Sequence, residues 1–282
     1  SDLAALATIT GQIVSALLAV YYLFRPKSFR LKRISFKPDA EILKHVLPLG
    51  ISSFLTQVSI VVIMAVMNNV LVIYGAGSKY GADIPMTVVG IVMKVFQIVI
   101  SVVVGIAAGA QPIVGYNYGA GLWRRVKLIF RTMMAAEFSV GLVSLICFEV
   151  FPVQIISVFG SEDGLYNEFA VLAFRVFLGG IVLCCIQKSC SIFLQSMGKP
   201  ALSMLLSLLR DFVLSVPLTL VLPRFFGVTG ALYSGPAADV ISFGAAVLCM
   251  AAVFRKLNRL EDGEVALSGA SQGGLAVERK IC

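Results

Sequence analysis

The sequence predicts an all-α, polytopic membrane protein with seven transmembrane helices, and three observations carry that prediction. Of its 282 residues 59% are hydrophobic and 13% charged, with a mean hydropathy of +0.94, whereas an average soluble domain is about a quarter charged. The apolar residues fall in runs of about 20 or more, the length that crosses a hydrocarbon core of about 30 Å. The excess of 23 Lys+Arg over 15 Asp+Glu gathers in every second connection between those runs, the bias that orients membrane helices. In a soluble chain a net charge of +8 would point to nucleic acid. Here topology accounts for it, and no nucleic-acid partner is expected.

The runs are Leu3–Phe24, Ile42–Ile73, Ile84–Ala110, Val126–Phe151, Phe169–Leu194, Ala201–Leu222 and Val228–Phe254. The chain opens at Ser1, already inside an apolar run and without an initiator Met or basic leader, so it reads as a fragment. After the first run, Arg25–Asp39 interleaves Phe29, Leu31, Ile34 and Phe36 with cations. Such a segment lies in the membrane interface and is attracted to anionic lipid. Pro48 and Gly50 are expected to separate an interfacial lead-in, with His45 in it, from the second span proper. The Tyr74–Asp83 connection is nearly neutral, the Arg124/Arg125/Lys127 connection basic, and Glu162-Asp163 acidic. The Gly198-Lys-Pro200 turn is basic, the Pro223–Gly227 connection carries one Arg, and Arg255, Lys256 and Arg259 follow the last run. The basic connections and the C-terminus are therefore placed in the cytoplasm of a cell whose plasma (inner) membrane the chain crosses several times. The Ser/Gly/Ala-rich end lacks the apolar content to fold, so 257–282 is expected to be a disordered cytoplasmic tail.

Between the third and fourth runs lies Gly105-Ile-Ala-Ala-Gly-Ala-Gln-Pro-Ile-Val-Gly-Tyr-Asn-Tyr-Gly119. Gly105 and Gly109 share a helix face that a neighbour can approach closely. Pro112 predicts a kink or break at Gln111, and Gly115, Asn117 and Gly119 suit a tight turn. Tyr116 and Tyr118 are read as packing residues of that turn.

Charges at membrane depth are costly and mark functional interiors. Counted inward at about 1.5 Å per residue, Lys94, Glu137, Arg210, Asp211 and Asp239 lie near mid-span. Arg175 lies in the outer half, and Lys188 is near enough to one surface to snorkel. Gly90, Lys94, Gln97 and Ser101 form one helical stripe, and Ser53, Gln57, Met64 and Asn68 another. Gln57, Asn68, Lys94, Gln97, Glu137, Arg210, Asp211 and Asp239 are the expected walls of a substrate or ion cavity, with interhelical fastening as the alternative. Met64, Met67, Met93, Met133 and Met134 offer an adaptable apolar surface. Lys94 and Glu137 are expected to pair, while Asp239, with no cation in its own span before Arg255, is expected to be unpaired. It is therefore the first candidate for a coupling carboxylate, with Asp211 second. Five of the six cysteines lie within apolar runs without CxxC or His clusters, so neither a disulfide frame nor a metal site is expected. The absence of P-loop, HExxH and GxSxG patterns gives enzyme chemistry no support.

Several short motifs occur in order at the span ends. They are Gly109-Ala-Gln-Pro112, Tyr116-Asn-Tyr-Gly119, Leu194-Gln-Ser-Met-Gly-Lys-Pro200, Arg210-Asp-Phe-Val-Leu-Ser-Val-Pro217, Phe226-Gly-Val-Thr-Gly-Ala231 and Gly235-Pro-Ala-Ala-Asp-Val-Ile-Ser242. Together they resemble the multidrug and toxic-compound extrusion (MATE) family, in the bacterial branch carrying the GAQPIxGYNYGA turn. The resemblance covers about Ile42 to Phe254. It implies that 1–24 is the last helix of an N-terminal lobe, 25–40 the cytoplasmic bridge between lobes, and 41–256 the six-helix C-terminal lobe of a two-lobe antiporter. It further implies export of small organic cations in exchange for inward H⁺ or Na⁺, no other cofactor, and membrane lipid and the missing N-terminal lobe as partners. Some members carry a Glu early in the seventh of twelve spans and an Asp in the tenth. Here Gln57 stands near the first position, and Phe169–Leu194 has no carboxylate. A lipid-linked oligosaccharide flippase of the same superfamily and a seven-helix receptor are the competing readings. A retinal-binding receptor lacks support, because Val228–Phe254 has no mid-span Lys.

Overall fold

The computed structural model describes residues 2–24, 40–159 and 164–281, and the side chains of residues 263–281 lie outside the description. The basic 25–39 segment and Glu162-Asp163 are likewise outside the described residues, as is the side chain of His45.

The chain divides into two units, Ser1–Leu47 and Pro48–Cys282. The first carries α1 (Asp2–Phe24) and the beginning of α2 (Ala40–Ala76). Leu6, Ile9, Ile13, Leu17 and Leu18 of α1 are exposed within this unit, an apolar surface suited to lipid or protein and not to water.

The second unit is the helical body. It contains the rest of α2, α3 (Asp83–Gly119), α4 (Trp123–Val150), the short α5 (Pro152–Ser157), α6 (Gly164–Phe177) and α7 (Ile181–Ser196). It continues through α8 (Pro200–Leu208), a π-helical stretch (Leu209–Leu214), α9 (Ser215–Phe226) and α10 (Val228–Ile281). Among the described residues five helices are long and apolar enough to cross a membrane, and the α6–α7 pair, bent by 44°, makes a sixth. The described apolar part of α1 is the shorter Ile9–Tyr21. Large apolar side chains cover the outside, among them Phe54, Ile98, Leu128, Val143 and Leu248. That distribution fits a hydrocarbon solvent, in which helices also satisfy every backbone polar group internally.

The interior has two apolar layers. One joins Leu71, Val92, Phe148, Phe169, Phe174, Ile181 and Leu232. The other joins Ala107, Val126, Met133, Phe193, Leu206, Met250 and Leu257. Along α4, α7 and α10 the chain passes through one layer, then a polar belt, then the other. Glu137, the Gln187–Ser189 segment and Asp239 with Ser242 occupy that belt.

Three expectations are corrected here. α3 runs unbroken through Pro112 to Gly119, and the reversal falls at Ala120–Leu122. A proline inside a membrane helix sacrifices one hydrogen bond, which apolar surroundings and neighbouring helices tolerate. Gly115, Asn117 and Gly119 are thus helical, and Gly121, at φ 73°, is the residue that needs the left-handed region. Asn117 is buried and donates from Nδ2 to the Ile113 carbonyl at 2.8 Å. Tyr118 packs edge-on against Trp123 at 5.4 Å, whereas Tyr116 is 75% exposed. In the second unit's leading helix, α2 likewise continues through Pro48 and Gly50. Finally, α10 continues past residue 257, where the tail was expected to begin. Leu257 is buried, and Lys127 holds both Asn258 and Glu261. Extending an existing helix needs no new nucleus.

The α6–α7 bend lies at Leu178-Gly179-Gly180, inside a run that reads from sequence as one straight span. On the connection between α2 and α3, Lys79 bonds Glu168 at 2.7 Å with both side chains more than half exposed. That hydrogen bond holds the Lys79 ammonium above its ordinary value.

Candidate functional site

The helical body encloses an open cavity of about 480 Å³. Its apolar walls come from α2 (Ile60, Ile63, Met64, Met67) and α3 (Met93, Phe96, Ile100). Its polar floor comes from α7, α8, the π-helical stretch, α9 and α10. Lys188, Ser191, Ile192 and Gln195 recur at helical spacing along α7, and Ser203, Ser207, Arg210 and Asp211 continue the floor across the next span.

The floor is fastened by side chains that the sequence reading passed over. Ser191 Oγ donates to the Ser203 carbonyl at 2.8 Å and lies 3.0 Å from Ser203 Oγ and 2.8 Å from Ser207 Oγ. Gln187 Nε2 donates to the Leu206 carbonyl at 3.0 Å, and Thr219 Oγ1 meets Ser234 Oγ at 3.0 Å. Hydroxyl-to-carbonyl bonds of this kind fix helices that apolar contact alone lets slide.

Set into this floor is a chain of four alternating charges. Lys188 Nζ donates to Asp211 Oδ2 at 2.8 Å. Arg210 Nη1 donates to Asp211 Oδ1 at 2.7 Å, and Arg210 Nε to Asp239 Oδ1 at 2.7 Å. The guanidinium also lies 5.8 Å from the Phe96 ring centroid, over an aromatic face that attracts cations. The chain links α7, the π-helical stretch and α10. Side-chain exposure is 15% for Lys188 and 13% for Arg210, but 4% for each aspartate. The cations are thus more exposed than the carboxylates.

Two backbone irregularities make this possible. Successive residues of an α-helix point about 100° apart, but the widened turn of Leu209–Leu214 lets neighbours Arg210 and Asp211 bond each other. Ser215 Oγ caps the same turn by donating to the Arg210 carbonyl at 2.7 Å. Across the floor, Gly180 sits at the α6–α7 bend with no side chain. A Cβ there would lie 2.7 Å from Asp239 Oδ2 and 3.2 Å from Pro236 Cα. The glycine leaves the space that the Asp239 carboxylate needs.

The candidate residues separate accordingly. Gln57, Gln97, Arg210 and Asp211 line the cavity. Asp239 lies behind Arg210, and its expected isolation is corrected, because Arg210 reaches it from the neighbouring span. Lys94 and Asn68 are exposed and do not line the cavity. Glu137 is fully buried elsewhere, so the expected Lys94–Glu137 pair does not form. Depth along a span was readable from sequence, whereas the direction around the helix was not. Met64, Met67 and Met93 line the cavity, while Met133 and Met134 belong to the second apolar layer. Arg175 turns to Glu149 instead, at 3.5 Å. Among the described residues no His/Cys/Asp/Glu group is arranged to hold a metal ion.

A family model described as MatE matches residues 48–221. The chain belongs to the MatE family. Multidrug export protein MepA of Staphylococcus aureus (strain NCTC 8325 / PS 47) is 23% identical over 249 residues, covering 87% of this chain and 52% of MepA. MepA of Staphylococcus saprophyticus is 25% identical over 246 residues, with the same coverage. The chain thus spans about half the length of the curated relatives it matches. Among solved structures, an outward-facing multidrug resistance MATE transporter of the MOP superfamily superposes with a TM-score of 0.79 at 20% identity. That match covers 90% of this chain and 56% of the transporter. The helical body therefore has a MATE fold, and the protein is a multi-pass membrane protein of that family.

Proposed function

We propose that this chain forms the C-terminal lobe, plus one preceding helix, of a secondary transporter that exports small organic cations in exchange for inward H⁺ or Na⁺. MepA, which it resembles, is a multidrug export protein. The observation that carries the reading is the Lys188–Asp211–Arg210–Asp239 chain in the floor of a Met-rich and aromatic cavity. The apolar wall accepts varied ring systems, and Asp211 supplies a negative charge for which a substrate cation and Lys188 compete. Alternating access in repeat-built carriers moves one lobe against another around a shared site, so the second lobe is a required partner. The Lys/Arg excess in alternate connections supports a cytoplasmic C-terminus.

One feature favours a second reading. Of the three charged residues that line the cavity, two are the cations Lys188 and Arg210, which suits an anionic or zwitterionic head group such as that of a flippase substrate. The deciding experiment is transport by vesicles containing the transporter in which this chain is joined to its N-terminal lobe. Proton- or sodium-driven uptake of a lipophilic cationic dye into inverted vesicles supports cation export. Saturable protection by a pyrophosphate-linked lipid, with no dye movement, supports the second reading and overturns the first.

A further inference from the structure

Away from the cavity, Glu137 of α4 is fully buried, and both its carboxyl oxygens lack a hydrogen-bond partner. The group beside it is the hydroxyl of Ser189 on α7, which is also fully buried and has no formed hydrogen bond. One turn along α4, Gly141 packs so closely on α7 that a Cβ would lie 3.0 Å from Val182 Cα and 3.5 Å from Cys185 Sγ. The two helices are thus in close backbone contact one turn from Glu137. A buried charge without a partner is avoided by neutralisation.

We propose that Glu137 and Ser189 form a proton-binding site in the α4–α7 seam, separate from the charged floor of the cavity. Glu137 carries the proton as a carboxylic acid and donates it in a hydrogen bond to Ser189 Oγ. This pairs two of the three oxygens that the seam otherwise orphans. The titratable group on the facing helix is Cys185, one turn from Ser189. Among the described residues no charged side chain of α3, α6 or α10 bonds the Glu137 carboxyl. Arg210, Asp239 and Glu137 itself all act on Cys185. Release of the proton would put an unpaired charge between two backbones in contact, so proton occupancy and closure of the seam are linked.

Infrared spectroscopy of the chain in lipid vesicles tests this. The expected result at about pH 7 is a carboxylic-acid C=O band that Glu137→Gln abolishes and Ser189→Ala shifts without abolishing. Glutamine has the shape of the protonated acid and is expected to fold. If Glu137→Gln does not insert, Ser189→Ala alone decides: a shifted band supports the site, and an unmoved one overturns it. The proposal is also overturned by identical spectra for the parent and Glu137→Gln, or by loss of the band on adding Na⁺ at constant pH, which would make the occupant a metal cation.

Discussion

Arg210 donates to Asp239 across two spans at 2.7 Å, and the same guanidinium donates to its own neighbour Asp211 at 2.7 Å. One buried cation therefore organises two buried carboxylates, and removing a carboxylate leaves the cation under-compensated. Breaking a buried pair from one side costs about 3–5 kcal/mol. Because Asp211 remains, Asp239→Asn is expected at the lower end, about 3 kcal/mol. Denaturant unfolding in detergent micelles measures it.

Gly180 is expected to act through the same pair. Gly180→Ala places a methyl group 2.7 Å from Asp239 Oδ2 and should displace the carboxylate from Arg210. Residues acting through one contact are non-additive. The Gly180→Ala/Asp239→Asn double variant should therefore lose little more stability than Asp239→Asn alone, which a double-mutant cycle reads directly.

Lys188 occupies Asp211 Oδ2 as a tethered cation. Lys188→Gln removes that competitor, so a cationic dye should bind about tenfold more tightly, equivalent to about 1.4 kcal/mol. Fluorescence anisotropy with the transporter in nanodiscs checks the direction. Weaker dye binding would show that Lys188 assists the site instead of competing for it.

The Lys79–Glu168 bridge is a contrasting case, since both partners are exposed and such pairs contribute little. The carboxylate raises the Lys79 value, so any contribution is present below the ordinary lysine range and is lost as pH rises through the raised value. Lys79→Met should leave the melting temperature at neutral pH unchanged, as differential scanning fluorimetry would record.

Much of the fold was legible because hydropathy alone dictates it: runs of twenty apolar residues have few other ways to satisfy their backbone in lipid. The mid-span depth of Arg210, Asp211, Glu137 and Asp239 was legible for the same reason. Their partners were not. Depth gives height along a helix, while pairing depends on azimuth, which is set by how spans pack. Arg210 and Asp211 looked divergent because the π-helical turn leaves no mark on residue choice. Lys188 looked like a snorkelling residue, although the polar face it shares with Ser191 and Gln195 was readable at i, i+3 and i+7. Pro112 was over-read as a break, whereas the Gly179-Gly180 pair, a plainer signal of a bend, was passed over inside an apolar run. Fold membership rests on residues 48–221, while the charge chain extends past that stretch to Asp239.

Asp211, which lines the cavity between Lys188 and Arg210, is the negative charge on which the proposed export of cations depends. Cationic-dye efflux by Asp211→Asn in the joined two-lobe transporter, measured across a pH range at matched expression, tests it most directly. A neutral side chain at this position should slow efflux by at least about tenfold across the range, the effect of about 1.4 kcal/mol. Efflux at the parent rate with the parent pH dependence would contradict the claim and reduce the chain of charges to a fastening between helices.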